Sequence, residues 1–144
     1  MRLALIATGL FAALVVLGSA FAVDEGEVVT VLTSNPRGAE YETTLWVVEQ
    51  GGSLWLRSAR PDSQWLARLR AKPDIVVLRG EERRAYHAVA LDDADARARV
   101  NAAMTAKYGA AARVLARFVD LDRSIPIRLD PSAQAPAPAT PAFP

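Results

Sequence analysis

Cysteine is absent from all 144 residues, and His87 is the only histidine. Without a thiol there is no disulfide, no cysteine nucleophile and no thiolate metal site. One imidazole excludes histidine-rich zinc sites and HExxH-type helices. A serine–histidine triad would have to recruit His87, and no G-x-S-x-G turn is present. The surrounding RRAYHAVAL alternates as an ordinary strand does, which makes His87 a strand position first. Excess charge is missing too: the formal total is +1, and no internal repeat is visible.

The distribution of charge says more than its sum. Residues 23 to 50 carry six acidic groups against one basic group, Arg37, whereas residues 57 to 84 carry eight basic groups against four acidic ones. A basic middle attracts phosphates or anionic surfaces, and its plain alternative is a solvated face. Nucleic acid is not an expected partner for an exported domain.

What is present in quantity is an apolar N-terminus. Residues 3 to 23 contain no charge, and a run of about 20 residues can span a bilayer as a helix. Ala20-Phe21-Ala22 also has the small residues of a signal-peptidase site, although the run exceeds the roughly 7–15 residues of a usual signal core. Arg2 before it and Asp24, Glu25 and Glu27 after it favour a cytoplasmic N-terminus and a folded domain outside. The expectation is a single-pass anchor in the cell membrane, with secretion after cleavage as the alternative. The length then leaves one domain, residues 24–131, and an Ala/Pro-rich disordered tail, residues 132–144.

Along the domain, EVVTVLT (27–33) is β-branched, SNPRG (34–38) is a turn, and TTLWVVE (43–49) is a second strand. Gln50-Gly51-Gly52 reverses the chain into SLWLRS (53–58), predicting a hairpin. QWLARLRAKP (64–73) is an amphipathic helix with Trp65, Leu66 and Leu69 inward and Arg68, Arg70 and Lys72 toward water, ended by Pro73. Residues 74–79 and 82–91 form a second hairpin around Gly80. Asp92, Asp93 and Asp95 mark a helix start. Val100, Met104, Tyr108, Ala111, Leu115 and Phe118 make one stripe, which Gly109 breaks or bends. SIPIRLD (124–130) closes the chain as a strand. This order predicts an α+β domain, a small split β-barrel of about six mainly antiparallel strands with a helical excursion, preceded by the N-terminal apolar helix.

Three stretches carry a resemblance: LTSNPRGAEYETTLWVV (32–48), RSA followed by WLARLRAKPDIVV (57–59 and 65–77), and KYG followed by IPIRLDP (107–109 and 125–131). With them, the chain from about Glu27 to Pro131 resembles the split β-barrel flavin- and deazaflavin-binding oxidoreductases, the deazaflavin-dependent nitroreductase-like group. The resemblance implies a cofactor, FMN or a deazaflavin, lying across the barrel. Thr33, Arg37, Gly38 and Thr43 would line its phosphate side. Thr44, Arg57, Ser58 and Arg60 would sit nearer the ring, with Trp65 bracing the helix beside it. The chain departs from the family's loop at Glu40 and Glu42, two carboxylates that would repel a phosphate.

The expected function is reduction of a small organic substrate at the membrane, by a cofactor that the protein positions. The alternative is a split-barrel ligand- or protein-binding module that has lost its cofactor, which Glu40 and Glu42 favour. A heme-binding barrel would have only His87 to offer as a histidine ligand. A homodimer is left open. Trp65 has a competing structural role as a wedge, and Arg57 and Arg37 have competing roles as a solvated strand residue and a turn residue.

Overall fold

The edges of the sheet explain its shape. In the computed structural model, residues 26–133 are described, and their strands join in the order β2-β1-β5-β6-β7-β4-β3, every pair antiparallel. The strands are β1 (Val28–Ser34), β2 (Glu40–Trp46), β3 (Val48–Gln50), β4 (Ser53–Ser58), β5 (Asp74–Arg79), β6 (Glu82–Ala90) and β7 (Ile125–Pro131). The outer two, β2 and β3, are separated in the chain by Val47 alone. A sheet whose two edges are consecutive in sequence must curl until those edges meet, and the result is a half-barrel with one seam.

Two helices position the site. Helix α1 (Gln64–Ala71) inserts Leu66 and Leu69, both wholly buried, among Val31, Leu56, Val77 and Ile127 of the barrel interior. Lys72 closes it through a backbone bond to the Arg68 carbonyl, and Pro73 follows. Helix α2 (Ala94–Leu115) starts at Asp93, whose carboxylate accepts from the Ala96 N–H at 2.7 Å. It packs Ala96, Val100, Met104 and Tyr108 onto Val48 and Trp55, on the outer face of β3 and β4.

The α+β half-barrel agrees with expectation, but its strands number seven, not six. The predicted strand 43–49 is two strands. Its first part begins earlier, at Glu40, and pairs with β1, placing Tyr41 opposite Thr33. Only Val48–Gln50 pair with β4 in the hairpin around Gly51-Gly52. The continuous apolar run LWVV hid the break, because Val47 and Val48 are both buried. The stripe along α2 also changes course. Gly109 sits at φ 53 and ψ −117, inside an otherwise helical segment, and beyond it Ala112 takes the buried place while Phe118 is 80% exposed.

The expected apolar helix over residues 3–23 and the tail from residue 134 onward lie outside the described residues. Among the described residues, no helix is long and apolar enough to cross a membrane.

Candidate functional site

Strand β4 alternates Trp55 and Arg57 outward against Leu56 inward. The outward face, polar at Arg57 by sequence, is covered by helix α2. Arg57 is therefore buried, at 8% exposure, and is not a solvated strand arginine. Its Nη1 donates to Asn101 Oδ1 of α2 at 3.1 Å. Burial alone pulls its pKa below the usual arginine range, with no neighbouring carboxylate acting on it. It makes no ion pair among the described residues.

Arg57 lines a cavity of about 320 Å³ at the seam of the barrel. Thr44, Ser58, Arg60 and Trp65 line the same cavity, so five of the expected ligands converge there. Trp46, Met104 and Leu115 supply an apolar wall from β2 and α2. The hydroxyl of Ser58 is engaged locally, donating to the Arg60 carbonyl at 2.7 Å and lying 2.6 Å from Ser63 Oγ. The exposed Arg60 side chain forks onto Asp62 through two bonds, at 3.1 and 2.9 Å, which raise its pKa. Arg57 is thus the cavity's unneutralised cation.

The other four expected residues lie at the β1–β2 end and do not line that cavity. Asn35 builds the turn: its Oδ1 accepts from the N–H groups of Arg37 and Ala39 at 3.0 and 2.9 Å. Arg37 and Gly38 are exposed on it, and Thr43 is half-buried on β2. Thr33 is buried, and its hydroxyl accepts from Arg68 Nε at 3.0 Å.

Helix α1 connects the two ends. Trp65 faces the cavity, and one turn on, the Arg68 guanidinium lies 4.1 Å from the centre of the Tyr41 ring. At the helix end, Lys72 Nζ reaches the Asn35 carbonyl at 3.1 Å. Lys72 is exposed, as the sequence predicts, while bonding the β1–β2 turn; Arg68, expected toward water, is instead half-buried against Thr33 and Tyr41. Their spacing from Trp65, three and seven residues, places all three along one helix stripe and was the available signal. Asn101 and Ser63 carried no comparable signal.

Glu40 and Glu42 are exposed at the start of β2. Side chains alternate along a strand. With Tyr41 under Arg68, its neighbours Glu40 and Glu42 leave from the opposite face of β2, the one that carries Thr44 and Trp46 to the cavity. Neither lines the cavity, and neither pairs with Arg37, Arg68 or Lys72. His87 is also remote from the cavity; its Nδ1 lies 2.8 Å from Asp74 Oδ1 on an exposed sheet face.

Solved structures share the fold. A conserved hypothetical protein of Mycobacterium tuberculosis aligns with a TM-score of 0.61 at 19% identity, over 76% of this chain and 75% of its own. The heme storage protein HutZ of Vibrio cholerae aligns with a TM-score of 0.61 at 14% identity, over 76% and 84%. A protein described as an F420 reductase aligns with a TM-score of 0.52 at 14% identity, over 76% and 90%. No curated protein matches the chain. The sequence model of the F420H(2)-dependent quinone reductases matches residues 17–131, across both helices and all seven strands. The chain belongs to the F420H(2)-dependent quinone reductase family, whose members are split-barrel, deazaflavin-dependent oxidoreductases.

Proposed function

We propose that this protein binds the deazaflavin F420 between the seam cavity and the β1–β2 turn, and reduces a small organic acceptor of the quinone type. One observation carries the binding site: Arg57 is a buried cation without a carboxylate partner, lining a cavity with an apolar wall. Such a charge is costly unless an anionic or strongly polar ligand completes it. The residues present fit the group. Trp65, Trp46 and Met104 offer apolar surface to a ring system, and Arg57 offers donors to its polar edge. Arg37, Arg68 and Lys72 would hold the phosphate-bearing chain some two turns of helix away, about 10 Å along α1.

The bound deazaflavin supplies the hydride. The chain's residues bind and orient. Thr33 fixes Arg68 through its hydroxyl, Asn101 fixes Arg57, and Met104 with Leu115 keeps one wall of the cavity apolar. The family supports F420 in preference to FMN. The alternative reading as a non-catalytic module rests on Glu40 and Glu42, which do not line the cavity but share a face of β2 with Thr44 and Trp46, which do. Action at a membrane, through residues 3–23, belongs to the same proposal.

Titration of the full-length chain with F420 and with FMN, followed by fluorescence, tests the reading. F420 should bind more tightly than FMN. Arg57→Ala should weaken F420 by roughly 10- to 150-fold, as expected for one charge-assisted contact. Absence of F420 binding by the wild type, or equal binding by Arg57→Ala, would defeat the assignment of this cavity.

A further inference from the structure

Beyond Gly109, the end of helix α2 and the turn that follows it present an apolar surface that the barrel does not cover. Val114 and Phe118, four residues apart, are 54% and 80% exposed. They border an open groove of about 760 Å³ that runs along Trp46, Tyr108 and Leu115. Arg113 and Arg117 flank the pair, both are exposed, and neither makes an ion pair among the described residues. The nearest carboxylate beyond them, Asp120, turns back to accept from the Asp122 N–H at 3.1 Å. Exposed aromatic and aliphatic tips beside free guanidinium groups are the chemistry of a surface that meets lipid head groups and acyl chains together.

The course of the chain favours the same partner. Gly26 lies against the Tyr108 ring, on the wall of this groove. The uncharged run ends at Val23, so about 10 Å of extended chain at most separates it from the groove. If that run occupies a bilayer, as its length permits, the groove lies at the bilayer surface. The run itself is a poor occupant, because residues 3 to 23 hold no carboxylate to meet Arg113 and Arg117. Lipid phosphates can.

We infer that the Val114–Phe118 face docks on an anionic phospholipid surface, with Phe118 entering the acyl layer and Arg113 and Arg117 engaging phosphates. Trp46 and Leu115 line both this groove and the Arg57 cavity. Docking by this face therefore brings the cavity mouth to the lipid.

The lack of cysteine makes a local test clean. Phe118→Cys in the full-length chain accepts one environment-sensitive label, and Glu81→Cys serves as a water-facing reference. Both are reconstituted into vesicles of phosphatidylcholine with phosphatidylglycerol, with brominated acyl chains as quencher. The label at position 118 should be blue-shifted and quenched, and the one at position 81 should be neither. Arg113→Gln with Arg117→Gln, or vesicles of phosphatidylcholine alone, should reduce the shift at 118. A label at 118 that stays in water overturns the inference. So does a label that is dry but unquenched, which would put the chain's own N-terminal run or a second copy in the groove. Quenching indifferent to lipid charge and to both arginines overturns the anionic assignment.

Discussion

Asn101 holds Arg57 from the side opposite the barrel: its Oδ1 accepts from Arg57 Nη1 at 3.1 Å and from Ser124 Oγ at 3.3 Å. Its Nδ2 donates to the Leu121 carbonyl at 3.1 Å, tying the same side chain to the turn before β7. The amide is neutral, so it orients the guanidinium without cancelling its charge. Asn101→Asp would keep the acceptor and supply the missing counter-ion. Cofactor affinity should then fall by roughly tenfold or more. Titration beside a thermal melt checks this; unchanged affinity would mean that the charge of Arg57 is not what the ligand uses.

Neighbouring residues of α1 should respond differently to truncation. Leu66 is wholly buried in the barrel, whereas Trp65 is half-buried and borders the cavity. Leu66→Ala should cost about 2–5 kcal/mol. Trp65→Ala should cost about 2 kcal/mol, less than the ~3–5 of a fully enclosed tryptophan, while also reducing cofactor affinity. Denaturant midpoints and the same titration separate the two effects. A larger stability loss at Trp65 with normal binding would restore it to a purely structural wedge.

Acid should loosen the start of the barrel. A hydrogen bond from Arg79, and next one from Lys107, lower the Glu27 carboxyl from 4.5 to about 2. A depressed folded-state value contributes stability in full above the unfolded value, and that contribution is lost as pH falls from about 4.5 toward 2. Both partners are about one-third exposed, and solvent screening keeps the contribution to the order of 1 kcal/mol. Melting temperature against pH should decline through that window in the wild type, and Glu27→Gln should flatten the decline.

Gly26 is needed for its lack of a side chain. It sits at φ 79, and a Cβ there would come within 2.9 Å of the Tyr108 ring. That ring stacks on Trp46 at 4.4 Å, and its hydroxyl donates to the Glu27 carbonyl and accepts from the Val47 N–H. Gly26→Ala should cost more than the ~1–2 kcal/mol of the backbone conformation alone. Gly38→Ala, at φ 84 with nothing within 4 Å, isolates that backbone part. Equal denaturant midpoints for the two variants would show that Tyr108 yields freely.

The sequence made the hairpins legible because glycines mark both, at Gly51-Gly52 and Gly80, and made α1 legible because Pro73 stops it. Strand β2 was blurred for a physical reason. At the edge of a sheet Glu40, Tyr41 and Glu42 are exposed, so no apolar alternation announces them. The path of Phe118 was lost at Gly109, whose conformation rotates every later residue of the stripe. Of the site, the residues gathered by β4 and its following turn were legible through their resemblance to a known family. Asn101 was not, since its contact with Arg57 spans 44 positions of sequence. Nor was the face of Glu40 and Glu42, which depends on which side of β2 meets Arg68.

Val47, one residue between two edge strands, has a consequence for how this protein would fail. Unpaired strand edges invite pairing with other chains, and here each edge is held beside the other by a single buried link. Loosening that link, by a proline at Val47 or by proteolysis there, would release two sticky borders at once. The first product of damage should be chains zipped edge to edge into assemblies that grow with concentration, well before the barrel interior melts.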